Sequence, residues 1–85
     1  MKPGELREVN YARLGVFSRS DFYITGEGDI EMLPEGEFVI LLEKGPSLDV
    51  DVRFPGGLES WRVLCKFGSW WARSQRLESC SAKVT

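Results

Sequence analysis

Apolar and polar residues alternate with a period of two over much of this chain, the signature of strands half-buried in a sheet. In "DVDVRF" at 49–54, Val50, Val52 and Phe54 fall on one face, with Asp49, Asp51 and Arg53 on the other. In "WRVLCKF" at 61–67, Trp61, Val63, Cys65 and Phe67 share a face. "EFVILLEK" at 37–44 does not alternate. Its continuous apolar run predicts a strand buried on both sides; an amphipathic helix is disfavoured because five consecutive apolar residues leave no polar face. Strong turn signals separate these segments: "LPEGE" at 33–37, "EKGPS" at 43–47 and "FPGGLE" at 54–59. Before residue 33, "ARLGVFSRS" and "DFYITGEGDIEM" predict two or three strands, with breaks around Ser18–Asp21 and Gly26–Gly28. "PGELREVN" reads as a strand or a single helical turn. The chain has no internal repeat or low-complexity tract, and the strand spacing predicts one all-β domain with a barrel-like sheet.

The stretch "WRVLCKFGSWWARSQRL" at 61–77 concentrates three tryptophans and four basic residues. "FGSW" is expected to turn the chain through a two-residue loop, with Gly68 first, as a type II′ turn requires. Counting outward pairs Phe67 with Trp70, Lys66 with Trp71, Cys65 with Ala72 and Leu64 with Arg73. Cross-strand partners share a face and faces alternate. One face then carries Trp61, Val63, Cys65, Phe67, Trp70, Ala72 and Ser74, and is expected to line the core. The other carries Arg62, Leu64, Lys66, Trp71, Arg73 and Gln75: three cations around an aromatic ring, with no acid. That second face is the candidate binding site. A base stacked on Trp71, with phosphates held by Arg62, Lys66 and Arg73, is the chemistry of single-strand nucleic-acid binders. The plainer account of Trp71 is a ring covered by another strand, a subunit, or the stems of its basic neighbours.

Composition and charge narrow the classes. The chain has 85 residues, 42% hydrophobic and 12% aromatic, with nine glycines and four prolines. That suits one globular domain, small enough to call for sheet closure or a partner subunit. The longest apolar run is "FVILL", far short of a membrane span, and "MKPGELREVN" has no apolar core of a secretory signal; a cytoplasmic location is expected. Cys65 and Cys80 are expected to be free thiols. With no histidine and no C-x-x-C, the usual zinc patterns are excluded and Cys65 has no base to activate it. No cofactor, metal site or catalytic residue is indicated, and no enzymatic activity is expected. The net charge of −2 hides a division: residues 1–60 hold six Lys/Arg against twelve Asp/Glu, and residues 61–85 hold five against one. The acidic run of Glu27, Asp29, Glu31, Glu35 and Glu37 fits no calcium loop and reads as a solvated strand and loop. It could also meet the basic hairpin of a neighbouring copy, head to tail, in a cyclic homo-oligomer.

The order "LPEGEFVILLEK … DVRFPGG … SWRVLCKFGSWWARSQRLES" resembles the SH3-like and Sm-like small β-barrels, in particular the compact barrel proteins of marine bacteriophage (cyanophage) type. The closing V-L-x-x-x-G-x-x-W-x-x-S-x-x-L-E element is carried by Val63, Leu64, Gly68, Trp71, Ser74, Leu77 and Glu78. The resemblance covers about residues 33–78. It implies a strongly bent five-stranded barrel with a short helical turn near "SQRLES". Sm-like members form rings that bind RNA, and SH3-like members bind peptides or act as structural parts. The Asp-x-x-x-Asn base-cradling loop of the Sm type is absent here, as is an Arg-Gly pair after a late strand. The leading functional expectation is binding of single-stranded nucleic acid, RNA ahead of DNA, by an oligomeric barrel through Arg62, Lys66, Trp71 and Arg73. The alternative is a protein-interaction or structural module whose basic and aromatic face is a protein interface.

Overall fold

The alternating segments resolve into seven strands of one antiparallel sheet in a computed structural model that describes residues 1–45 and 59–84. The strands are β1 (Leu6–Val9), β2 (Leu14–Phe17), β3 (Ile30–Leu33), β4 (Phe38–Lys44), β5 (Ser60–Cys65), β6 (Gly68–Arg73) and β7 (Ser81–Lys83). Two short helices, α1 (Phe22–Thr25) and α2 (Ser74–Cys80), interrupt them. The order across the sheet is β3-β2-β6-β5-β4-β1-β7. The sheet curls into a half-barrel around its apolar face and is all-β in class. It has seven strands where five were expected, because "PGELREVN" supplies β1 and a further short strand follows α2. The expected strands at "DVDVRF" and the turn "FPGGLE" lie outside the described residues.

The concave face holds the core. Val9, Leu14, Val16, Leu33, Val39, Leu41, Trp61, Val63, Ala72 and Leu77 form one buried cluster, with Cys65 and Trp70 packed against it. Each fully buried Leu or Val contributes about 1.5–3 kcal/mol, and these residues come from six strands and α2. Three of the ten, Val9, Leu14 and Val16, come from before residue 33, so the core reaches beyond the expected 33–78. α2 packs against β2, β6 and β7 with Ser74, Leu77 and Cys80 buried, the helical turn expected near "SQRLES". "DFYIT", read as part of a strand, is instead mostly helix α1, closed by Gly26. Phe22 at its start stacks on Phe17, with ring centroids 5.1 Å apart.

Arg7 ties the first strand to the last elements. It is 8% exposed. Its guanidinium donates to Ser81 Oγ at 2.8 Å, to the Leu77 and Ser81 carbonyls at 3.1 and 2.9 Å, and to Glu5 Oε2 at 2.6 Å. Carbonyls near the C-terminal end of α2 have no helical donor to bond, so a buried cation there satisfies them and meets the favourable end of the helix dipole. Arg7 in turn holds the Glu5 carboxyl below its usual range, chiefly by that hydrogen bond. Among the described residues no helix is long and apolar enough to cross a membrane.

Candidate interaction face

Strands β5 and β6 form the expected hairpin, but with a different turn. Cys65 pairs with Gly68, Leu64 with Ser69, Val63 with Trp70, Arg62 with Trp71, Trp61 with Ala72 and Ser60 with Arg73. The loop residues are thus Lys66 and Phe67, not Gly68 and Ser69. Both keep negative φ, and the positive φ falls on Gly68 at 109°. That glycine permits the chain to re-enter the sheet after a turn that lacks primed geometry. The shift in pairing is even, so the faces survive it: Trp61, Val63, Trp70 and Ala72 point inward, and Arg62, Leu64 and Trp71 point outward. Phe67 does not line the core. It sits in the turn at 38% exposure, tilted against Trp70 at 5.9 Å.

The four expected binding residues are only partly brought together. Arg62 and Trp71 are direct cross-strand partners, and Arg73 follows on the same outward side of β6. Lys66 is not opposite Trp71; it stands at the hairpin tip, 5.3 Å over the Phe67 ring. The face also has acids that single-hairpin reasoning omitted. The neighbouring strand β4 places Glu43 beside Arg62, with Nη1 to Oε1 at 3.2 Å, and Arg62 Nε donates to Ser69 Oγ at 2.7 Å. Glu37 takes Lys66 Nζ at 3.3 Å. Arg73 donates to Gln75 at 3.3 Å. Each exposed ion pair contributes at most about 1 kcal/mol, but it cancels the local positive potential that would collect phosphates.

Trp71 is half-buried. Its partner on the other side is Phe17 of β2, and its ring covers Gly45, where a Cβ would lie 2.5 Å from Cζ3 and 2.9 Å from Ser60 Oγ. One side of the indole is therefore already occupied.

A different outward feature is larger. β4 is not buried on both sides: Val39 and Leu41 point inward, whereas Phe38 and Ile40 are 49% and 37% exposed. Ile40 lies between Leu6 of β1 and Leu64 of β5 in register, and those two are 37% and 44% exposed. Val84 extends this row beyond β7, its N–H donating to the Leu6 carbonyl at 2.9 Å, and is 37% exposed. The row Val84–Leu6–Ile40–Leu64 thus crosses β1, β4 and β5 and the residue that follows β7, spanning about 14 Å at ordinary strand spacing, with Phe38 beside it. Glu8, Glu37, Glu43, Arg62 and Lys66 border it. A break in register between Leu41 and Glu43 lets β4 accommodate its fifth apolar residue and sets Glu43, not Leu42, opposite Arg62. The signal for this face was present in the sequence. A strand apolar on both sides is buried twice or is waiting for a partner, and only the sheet order tells which.

No family model, no curated protein and no solved structure matches the chain. Among the described residues no cluster of Cys, Asp or Glu is placed to hold a metal ion.

Proposed function

We propose that this chain is a non-catalytic interaction module of the SH3-like/Sm-like small-barrel class that self-associates through the outer face of β5, β4, β1 and β7. The carrying observation is the exposed apolar row Val84–Leu6–Ile40–Leu64, in register across β1, β4 and β5 and continued by the residue after β7. Single exposed apolar residues are ordinary, but a contiguous row is the kind of surface that interfaces cover. Its layout, apolar at the centre and charged at the rim, is that of an interface. A second copy fits the charges. A two-fold axis along the strands lays the β1–β7 flank of one copy over the β5 flank of the other. This brings Glu8, which makes no ion pair among the described residues, toward the basic hairpin tip at Lys66. The curled antiparallel sheet and the helical turn before the last strand support the small-barrel class.

The test is sedimentation velocity over a range of concentrations, with Ile40→Glu beside the wild type. Wild type is expected to move from monomer to dimer as concentration rises, with little dependence on salt. Ile40→Glu is expected to stay folded and monomeric, since its side chain faces outward. A monomeric wild type at high micromolar concentration overturns the proposal.

The second reading, single-stranded RNA or DNA on Arg62, Trp71 and Arg73, is favoured by one observation: Arg62 and Trp71 are adjacent across the strands with Arg73 on the same side. A base would have to use the free side of the indole, and Arg62 would have to release Glu43. Anisotropy of labelled RNA and DNA at low and physiological salt separates the readings. Binding that falls steeply with salt and is lost in Arg62→Ala/Arg73→Ala supports nucleic acid.

A further inference from the structure

We infer that a cleft at the opposite flank of the sheet binds a small anion carrying a carboxylate or phosphate group on an apolar or planar body. The cleft is about 230 Å³, lined by Arg13, Gly15, Phe17, Ile30, Met32 and Arg76. Four observations carry this. Arg13 and Arg76 come from the approach to β2 and from α2, distant in sequence, and flank the same space. Neither makes a hydrogen bond or ion pair among the described residues, whereas Arg7, Arg19, Lys44, Arg62 and Lys66 each hold a carboxylate. Among the described residues no acid lines the cleft, so none of them cancels its positive charge locally. The floor is apolar, with Ile30 and Met32 49% and 44% exposed.

Gly15 is the residue that leaves the cleft open. It pairs with Met32 across β2 and β3, and a Cβ at Gly15 would meet Met32 Sδ at 3.5 Å, an ordinary contact. A side chain there fills the floor without forcing the strands apart. Two guanidiniums over an apolar floor suit a ligand with both parts: the planar forks hydrogen-bond carboxylate or phosphate oxygens, and the floor covers the body. Inorganic phosphate satisfies the first requirement only, and a neutral aromatic alcohol only the second. The cleft lies on β2 and β3, away from the row on β5, β4, β1 and β7, so its occupancy is independent of self-association.

Amide and arginine-side-chain NMR titrations with benzoate, phenyl phosphate, inorganic phosphate and benzyl alcohol test it. Benzoate or phenyl phosphate at millimolar concentration should shift the Gly15 and Met32 amides and the Arg13 and Arg76 side chains, and either should bind more tightly than the other two probes. Which of the two binds better distinguishes a carboxylate from a phosphate ligand. The double variant Arg13→Gln/Arg76→Gln should weaken binding roughly tenfold or more, the value of one charge-assisted pair. Gly15→Val, which keeps both charges, should abolish the advantage of the aromatic anions over inorganic phosphate. The inference is overturned if none of the probes shifts these signals. It is equally overturned if inorganic phosphate matches the aromatic anions in wild type, or if the double variant binds unchanged.

Discussion

Two residues in this molecule carry more than their own contacts. Arg7 looks in sequence like one charge of an alternating strand, yet it is enclosed and joins β1 to α2 and β7 through Leu77, Ser81 and Glu5. Replacing it by methionine leaves those carbonyls without their donor. A loss of about 1–3 kcal/mol is expected for unpaired buried groups, read as a lower urea midpoint at neutral pH. The same residue sets an acid limb. Because the Glu5 carboxyl is held below its usual range in the folded chain, it stabilises the fold above the unfolded carboxylate pKa. That contribution disappears as pH falls through the folded value. Asp21, lowered mainly by its hydrogen bond from Arg19, adds in the same direction. The urea midpoint of wild type should therefore fall between pH 7 and pH 3 more than that of Arg7→Met; an equal fall assigns the acid limb to other groups. Gly45 is the second such residue. Gly45→Ala places a methyl against the Trp71 ring and Ser60 Oγ, and overpacking of this kind costs about 1–3 kcal/mol. Tryptophan emission should shift to the red as the indole is pushed toward water.

At the scale of elements, the β5–β6 hairpin shows what could and could not be read from the sequence. Its two faces were legible, because inward and outward sets depend only on the parity of the pairing, and the actual register differs from the expected one by an even step. The turn was not legible. "FGSW" offers glycine at the first loop position, but the chain turns at Lys66 and Phe67 and uses Gly68 for the return. Gly68→Ala is thus expected to cost about 1–2 kcal/mol, the penalty of a Cβ at positive φ, with no change in which residues are buried. Hydrogen exchange at Leu64 and Ser69 would record the loosened pairing. The candidate site was legible only in part for a related reason. Alternation in one hairpin placed Arg62 on the same face as Trp71, but the acids that neutralise Arg62 and Lys66, Glu43 of β4 and Glu37 just before it, lie 19 and 29 positions earlier. Sheet order decides that neighbourhood, and periodicity within a strand holds no information about sheet order. The two-sided apolar run of β4 carried the same ambiguity.

For the whole molecule, the arrangement that matters is the position of β1 between β4 and β7. A chain ending at Cys80 loses the Ser81 contacts of Arg7 and bares an edge of β1. Such a chain should show collapsed amide dispersion or concentration-dependent light scattering, as an uncovered edge recruits other strands. A well-dispersed monomer would show that β7 is ornamental. Unlike a meander, which can grow strand by strand, this sheet gives its first strand no early partner. β1 must wait for β4, some thirty residues further on, and then for the segment that follows α2. Its pairings are the long loop closures whose entropy must be met before any contact rewards them. On the ribosome, β1 therefore stays unpaired until β4 has emerged, whereas β2 and β3 can pair within their own local hairpin.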